Sequence, residues 1–247
     1  MEHDKVASLI DKAVFDYKLI EDGDRILVGA SGGKDSTLLV EYFSNRAKRF
    51  YCDGSLKKEN SKEPNFSFKA LTVLSEFNST FSEDLKKLFL EWSVDSETEK
   101  IEVLGRLKKD RLMNCYWCST QRRKELLDYA VKNHFNKIAL GHHLDDILET
   151  LIMNMVEHGE LSTMPVKLKY EKFPVTIIRP LCYVPVEMIV EHAEREGWKS
   201  ATCTCTYQDN SGRKTAREKL AALTDGEYAK KMRLFNSLKN IQTQYLP

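Results

Sequence analysis

The chain has 247 residues, 42% hydrophobic and 30% charged, so a packed α/β core fits within its length and wholesale disorder is excluded. No run approaches the roughly 18–20 apolar residues that span a bilayer, and the first residues, Met1-Glu-His-Asp-Lys-Val6, have neither the basic start nor the apolar stretch of a secretory signal. A net charge of +1 leaves a nucleic-acid partner undecided, while six cysteines without a signal point to metal or thiol chemistry in the reducing cytoplasm, not to disulfides.

Val6, Leu9, Ile10, Ala13, Val14 and Tyr17 recur at helical spacing, which predicts an amphipathic N-terminal helix within about 3–20. Gly23 breaks the pattern. Arg25-Ile-Leu-Val-Gly-Ala30 reads as a buried strand feeding the turn Ser31-Gly-Gly-Lys-Asp-Ser36, from which a helix runs to about Lys48. Glycines let a backbone approach an anion closely, and the N–H groups of a helix start point at it. Ala30, Ser31, Gly32, Gly33, Lys34, Asp35 and Ser36 are therefore expected to cradle nucleotide phosphates. The common P-loop needs Gly, four residues, then Gly-Lys-Ser/Thr; here Asp35 follows Lys34 and Val28 stands five before Gly33, so that template fails twice. A magnesium ion must then find its oxygen ligands elsewhere. An ordinary strand-to-helix turn is the plain reading of the two glycines taken alone.

Residues 52–66 read as a polar surface loop, 68–77 as a strand and 82–92 as a helix, whereas 97–113 is charged and shows no clear period. A helix is expected over 119–134, a buried strand over 137–141 and a helix over 145–158. A strand over 175–181, a helix over 186–196 ended by Gly197, and a helical segment within about 213–243 complete the chain. The alternation predicts an α/β fold, a doubly wound, mostly parallel sheet with flanking helices, read here as one domain over 1–247. Ligands of such sheets sit outside the carboxyl ends of the strands, where residues 31–36 fall.

Gly141-His-His-Leu-Asp-Asp-Ile-Leu-Glu-Thr150 leaves the strand at 137–141 as the first turn leaves its own, so both are expected on one sheet edge. Gly141 and His142 are assigned to the nucleotide. Asp146 is assigned to phosphate and Mg²⁺, and Asp145 to the helix dipole, which alone would explain both acids. Packed core groups are the plain alternative for the two histidines, and His143 is given no role. Cys115-Tyr-Trp-Cys118 sets two thiols on one turn immediately before a helix. With Cys203 and Cys205 they admit a structural zinc, a redox pair, or an iron–sulfur cluster held by three of the four with one iron open. Cys52 and Cys182 receive no role. Basic clusters at 106–111, 122–124, 213–217 and 230–233 either meet phosphates or are solvated helix faces.

Taken together, Ser31-Gly-Gly-Lys-Asp-Ser36, Cys115-x-x-Cys118-Ser119 with Arg122-Arg123, Gly141-His-His-x-Asp-Asp-Ile-Leu-Glu-Thr150 and Arg179-Pro-Leu181 resemble the TtcA family of tRNA 2-thiocytidine synthetases, a group of PP-loop ATP pyrophosphatases. Leu19-Ile-Glu-Asp-Gly-Asp24, Met153-Asn154-Met155 and Met164-Pro165 extend the likeness over nearly the whole chain, the stretch near 44–66 least. The resemblance implies a cytosolic enzyme in which ATP adenylates the C2 oxygen of an anticodon-loop cytidine, and sulfur carried on a [4Fe–4S] cluster then displaces AMP. It implies that Cys115 and Cys118 bind the cluster. The third ligand is Cys205, aligned on Gln208, or alternatively Cys203. It also implies that Arg122 serves the α-phosphate and that Lys34 neutralises charge as pyrophosphate forms. Partners would be tRNA and a sulfur donor such as a cysteine desulfurase or sulfide, and related enzymes are often homodimers. The absence of a further domain or an N-terminal zinc module sets the chain apart from archaeal and eukaryotic 2-thiouridine relatives. The rivals are a PP-loop enzyme serving another base or a small molecule, and a zinc-stabilised nucleotide-binding module.

Overall fold

The computed structural model describes residues 5–48, 51–52, 55–56, 64–77, 80–107, 112–198 and 211–245. Helix α1 (Lys5–Tyr17) leads into β1 (Asp24–Gly29), α2 (Lys34–Lys48), β2 (Tyr51–Cys52), β3 (Ser55–Leu56), β4 (Phe66–Ser75), α3 (Glu83–Glu91) and β5 (Ser96–Ile101). Then come α4 (Cys115–Lys132), β6 (Lys137–Ala139), α5 (Leu144–Met153), β7 (Lys167–Lys169), β8 (Thr176–Ile178), α6 (Val186–Arg195), α7 (Ser211–Thr224) and α8 (Tyr228–Ser237).

Six strands form one sheet in the order β5-β4-β1-β6-β8-β7, parallel throughout except that β7 runs antiparallel to β8. The central strand shows why it stays central. Ile26, Leu27 and Val28 are fully buried, and alternation sends Ile26 and Val28 to one face and Leu27 to the other. Ala70, Leu74, Ala139 and Ile178 share the first face, with apolar side chains of α1, α2, α3, α5, α6, α7 and α8. Leu71, Val73, Ile138 and Ile177 share the second with Leu127, Tyr129 and Ala130 of α4. The expected doubly wound sheet is thus present, with α4 covering the second face among the described residues.

Several boundaries differ from the sequence reading. Helix α4 starts at Cys115, four residues before the expected 119, because the Asn114 side chain caps it by accepting from Trp117 N at 2.8 Å. The two thiols therefore lie in its first turn and not ahead of it. The helix expected over 145–158 gives way after Met153 to a π-turn, Asn154–His158, closed by Gly159 at φ 66. Strand β5 lies in the stretch without a clear period, β7 was not expected, and β2 and β3 form a short hairpin in what reads as a loop.

Candidate active site

Strand order reverses at β1, whose neighbours β4 and β6 lie on either side, and a crevice opens above the carboxyl ends at such a switch point. Both turns singled out from sequence meet there. Gly141 approaches the first turn so closely that a Cβ on it would lie 3.1 Å from both Asp35 C and Ser36 N. Within the first turn Gly32 takes φ +87, which favours glycine. Ser36 Oγ donates to Gly33 O at 2.9 Å, Thr37 Oγ1 donates to the same carbonyl at 3.0 Å, and Ser31 N donates to Ser36 Oγ at 3.1 Å. The hydroxyls of Ser36 and Thr37 brace the loop and so preorganise it.

The crevice is a cavity of about 340 Å³, within the usual range for a small-molecule site. Ala30, Ser31, Asp35 and Ser36 line it from the first turn, and Gly141, His142 and Asp146 from the second. Leu71 and Val73 form the β4 wall, Ser119, Arg122, Arg123 and Leu126 the α4 wall, and Arg213 of α7 reaches it as well. Three guanidinium groups against the carboxylates of Asp35 and Asp146 leave the cavity net positive, as a polyphosphate requires. Arg122 Nε donates to Val73 O at 3.2 Å, which fixes its side chain to β4. Burial pushes the His142 imidazole down to about 4, helped by the positive charge of Arg179, so His142 is neutral near pH 7, and its buried Nδ1 has no hydrogen-bond partner among the described residues. Arg179 is itself lowered to about 10, first by burial and then by Arg123.

Asp146 sits at the start of α5 in a capping box: His143 N donates to Asp146 Oδ2 at 3.2 Å, and Asp146 N donates to His143 Nδ1 at 3.4 Å. Its second oxygen, Oδ1, stands 3.8 Å from Arg213 Nη1. His143, which received no role, is therefore the cap that aims Asp146. Asp145 is more than a dipole partner. It is buried against Lys231 Nζ of α8 at 2.7 Å and accepts from Val186 N at 2.8 Å. The buried carboxylate Oδ1 of Asp35 makes no hydrogen bond among the described residues and lies 3.3 Å from Lys34 Nζ.

Of the residues expected at the site, Ala30, Ser31, Asp35, Ser36, Arg122, Gly141, His142 and Asp146 line the cavity, whereas Gly32, Gly33 and Lys34 do not. Cys115 and Cys118 are half-buried and do not line it either. Helical periodicity nevertheless sets Cys115, Cys118, Ser119, Arg122 and Leu126 along one face of α4, so the thiols continue the cavity wall toward the helix start. Cys203 and Cys205 lie outside the described residues. The sequence reading did not assign Ser119, Arg123 and Arg213 to the site, although Arg123 and Arg213 stand in two of its basic clusters. Among the described residues no helix is long and apolar enough to cross a membrane.

The chain is similar to known proteins over nearly its whole length. The PP-loop domain family matches residues 3–223. A tRNA-cytidine(32) 2-sulfurtransferase of Alkalilimnicola ehrlichii is 34% identical over 245 residues, 98% of this chain and 74% of that protein. One from Acaryochloris marina is 33% identical over 98% of this chain and 83% of its own. Among solved structures, the U34-tRNA thiolase NcsA from Methanococcus maripaludis with its [4Fe-4S] cluster superposes with a TM-score of 0.75 at 21% identity, over 98% of this chain and 79% of that one, and so shares the fold.

Proposed function

Because the chain belongs to the TtcA family of tRNA 2-thiocytidine synthetases, within the PP-loop domain family, we propose that it is an ATP-dependent tRNA sulfurtransferase that converts a cytidine to 2-thiocytidine. The observation that carries this reading is the meeting of two phosphate-side turns, three arginines and the thiol-bearing face of α4 at one switch point. A carbonyl oxygen is a poor leaving group until it is esterified to phosphate, so ATP must act first. The base oxygen attacks the α-phosphorus, the bond to the β-phosphate breaks and pyrophosphate leaves; sulfide then displaces AMP at C2.

The first turn, with Lys34 and Arg122, would hold the triphosphate and stabilise the charge that develops on pyrophosphate. Asp146, with Asp35, offers carboxylate oxygen to Mg²⁺, an ion that takes one or two protein carboxylates and completes its shell with phosphate and water. Neutral His142 would contribute a ring nitrogen to the pocket without adding charge. A [4Fe–4S] cluster, when bound, would supply sulfur that is already deprotonated and positioned on an open iron. Two cysteinyl thiols three apart on one helix turn suit such a cluster as donors, with the third ligand from Cys205 or Cys203. The site would take tRNA as substrate and a cysteine desulfurase or sulfide as sulfur source, in the cytoplasm, in a chain that pairs as a homodimer.

Anaerobic purification with an iron, sulfide and zinc count tests this. Roughly four irons per chain with broad absorbance near 400 nm, and ATP-dependent 2-thiocytidine formation on tRNA, are expected. A colourless protein with stoichiometric zinc and no thiolation overturns the reading. One of Cys203→Ala and Cys205→Ala should abolish the iron count and the other leave it intact, whereas a four-cysteine zinc site would lose metal with either.

A further inference from the structure

Helix α7 approaches the cavity from the far end of the chain, and its two arginines are treated differently. Arg217 Nε donates to Glu149 Oε1 at 2.8 Å, and that carboxylate is only 4% exposed in its side chain. Arg213, one helical turn earlier, lines the cavity from α7. Its separation of 3.8 Å from Asp146 exceeds hydrogen-bond length, so its guanidinium donors are not taken up by that acid. The two pairs match in register, since Asp146 and Glu149 lie three apart on α5 while Arg213 and Arg217 lie four apart on α7. Below them Ala216 and Leu220 are buried in the core with Leu148 and Leu151, and Gly212 comes near Met153, so α7 is seated along α5. Arg213 thus faces Arg122 and Arg123 from another wall, with a planar, permanently charged fork suited to phosphate oxygens.

We propose that Arg213 is a polyphosphate-binding residue of this cavity, delivered by α7 and aimed by the Arg217–Glu149 ion pair, with Arg217 as a positioning residue. The proposal rests on the nucleotide-binding reading above. It makes the C-terminal helices part of the nucleotide site, a contribution that neither turn at the sheet edge implies.

Calorimetric titration of the anaerobically purified full chain with Mg-ATP, pyrophosphate and adenosine decides it. Arg213→Ala should weaken ATP and pyrophosphate about tenfold or more, as expected for the loss of hydrogen bonds to a charged group, and leave adenosine affinity and Tm unchanged. Arg213→Lys should fall between. Arg217→Ala should weaken ATP in the native background and add nothing in the Arg213→Ala background, a non-additivity that general loosening of the fold would not produce. ATP affinity within about twofold of wild type for Arg213→Ala, or an equal loss for adenosine, overturns the proposal. Wild-type protein that binds pyrophosphate but not ATP removes the nucleotide reading alone, and Arg213 is then judged on pyrophosphate. Binding of neither removes both.

Discussion

At the scale of single residues, the second turn spends four polar side chains, set around Leu144, on four different tasks. His142 faces the cavity, His143 caps α5, Asp145 anchors α8 through Lys231, and Asp146 lines the cavity beside Arg213. The sequence reading assigned Asp146 to phosphate and Mg²⁺ and left Asp145 to the helix dipole, and so missed Asp145 as the anchor. Lys231 lies 86 residues after Asp145, and no local pattern reports a partner so distant. Burial pulls the Lys231 ammonium down, but the hydrogen bonds it donates to Asp145 and Glu187 outweigh that and hold it above its ordinary value. His142 goes the other way, because burial and Arg179 both disfavour its proton. Its pKa near 4 when folded lies below about 6.5 when unfolded, so between those values the unfolded chain binds more protons and stability falls as pH falls. Urea midpoints taken at pH 7 and pH 5 should therefore drop less in His142→Asn than in wild type. The expected difference is about 1–2 kcal/mol.

At the scale of elements, the contact between the two turns sets what the loops tolerate. A Cβ at Gly141 meets the backbone of Asp35 and Ser36, which cannot move without distorting the first turn. A Cβ at Gly29 meets Leu140 Cδ2 at 3.2 Å, the far end of a side chain that can rotate away. Gly141→Ala should accordingly cost about 1–3 kcal/mol of stability and most ATP affinity, while Gly29→Ala should keep ATP affinity close to wild type; thermal unfolding and ATP titration of both variants check the contrast. The elements that sequence reading placed well, α1, α3 and α6 among them, carry apolar residues at helical spacing on one face. Those it missed lack such a signal. Strand β7 has three residues, too few to show alternation, and β5 is a Ser-Glu-Thr-Glu-Lys-Ile edge whose buried side chain is Ile101. The early start of α4 depends on Asn114 as a cap, a residue equally at home in a turn.

At the scale of the whole molecule, the alternation of strands and helices was legible, and with it the expectation that both turns share the carboxyl edge. Strand order was not, since periodicity says which residues are buried and nothing about which strand lies beside which. The order places the acid-rich β5 at one edge and leaves Arg122, Arg123 and Arg213 around one opening, although the net charge is only +1. Binding of tRNA should weaken about tenfold or more between 50 and 200 mM salt if three or so phosphates are neutralised there, as filter binding across a salt series would measure.

The adjacency of β1 and β6 also has a bearing on how the protein is made. The two turns that face each other across the switch point are translated more than a hundred residues apart, with β4, β5 and α4 emerging between them. While the ribosome is still building that interval, the first glycine turn is complete in sequence but has nothing to close against. Nucleotide binding is thus acquired late, at a stage when most of the sheet must already be aligned. ATP in the cell can stabilise only the assembled protein and gives no help to the growing chain.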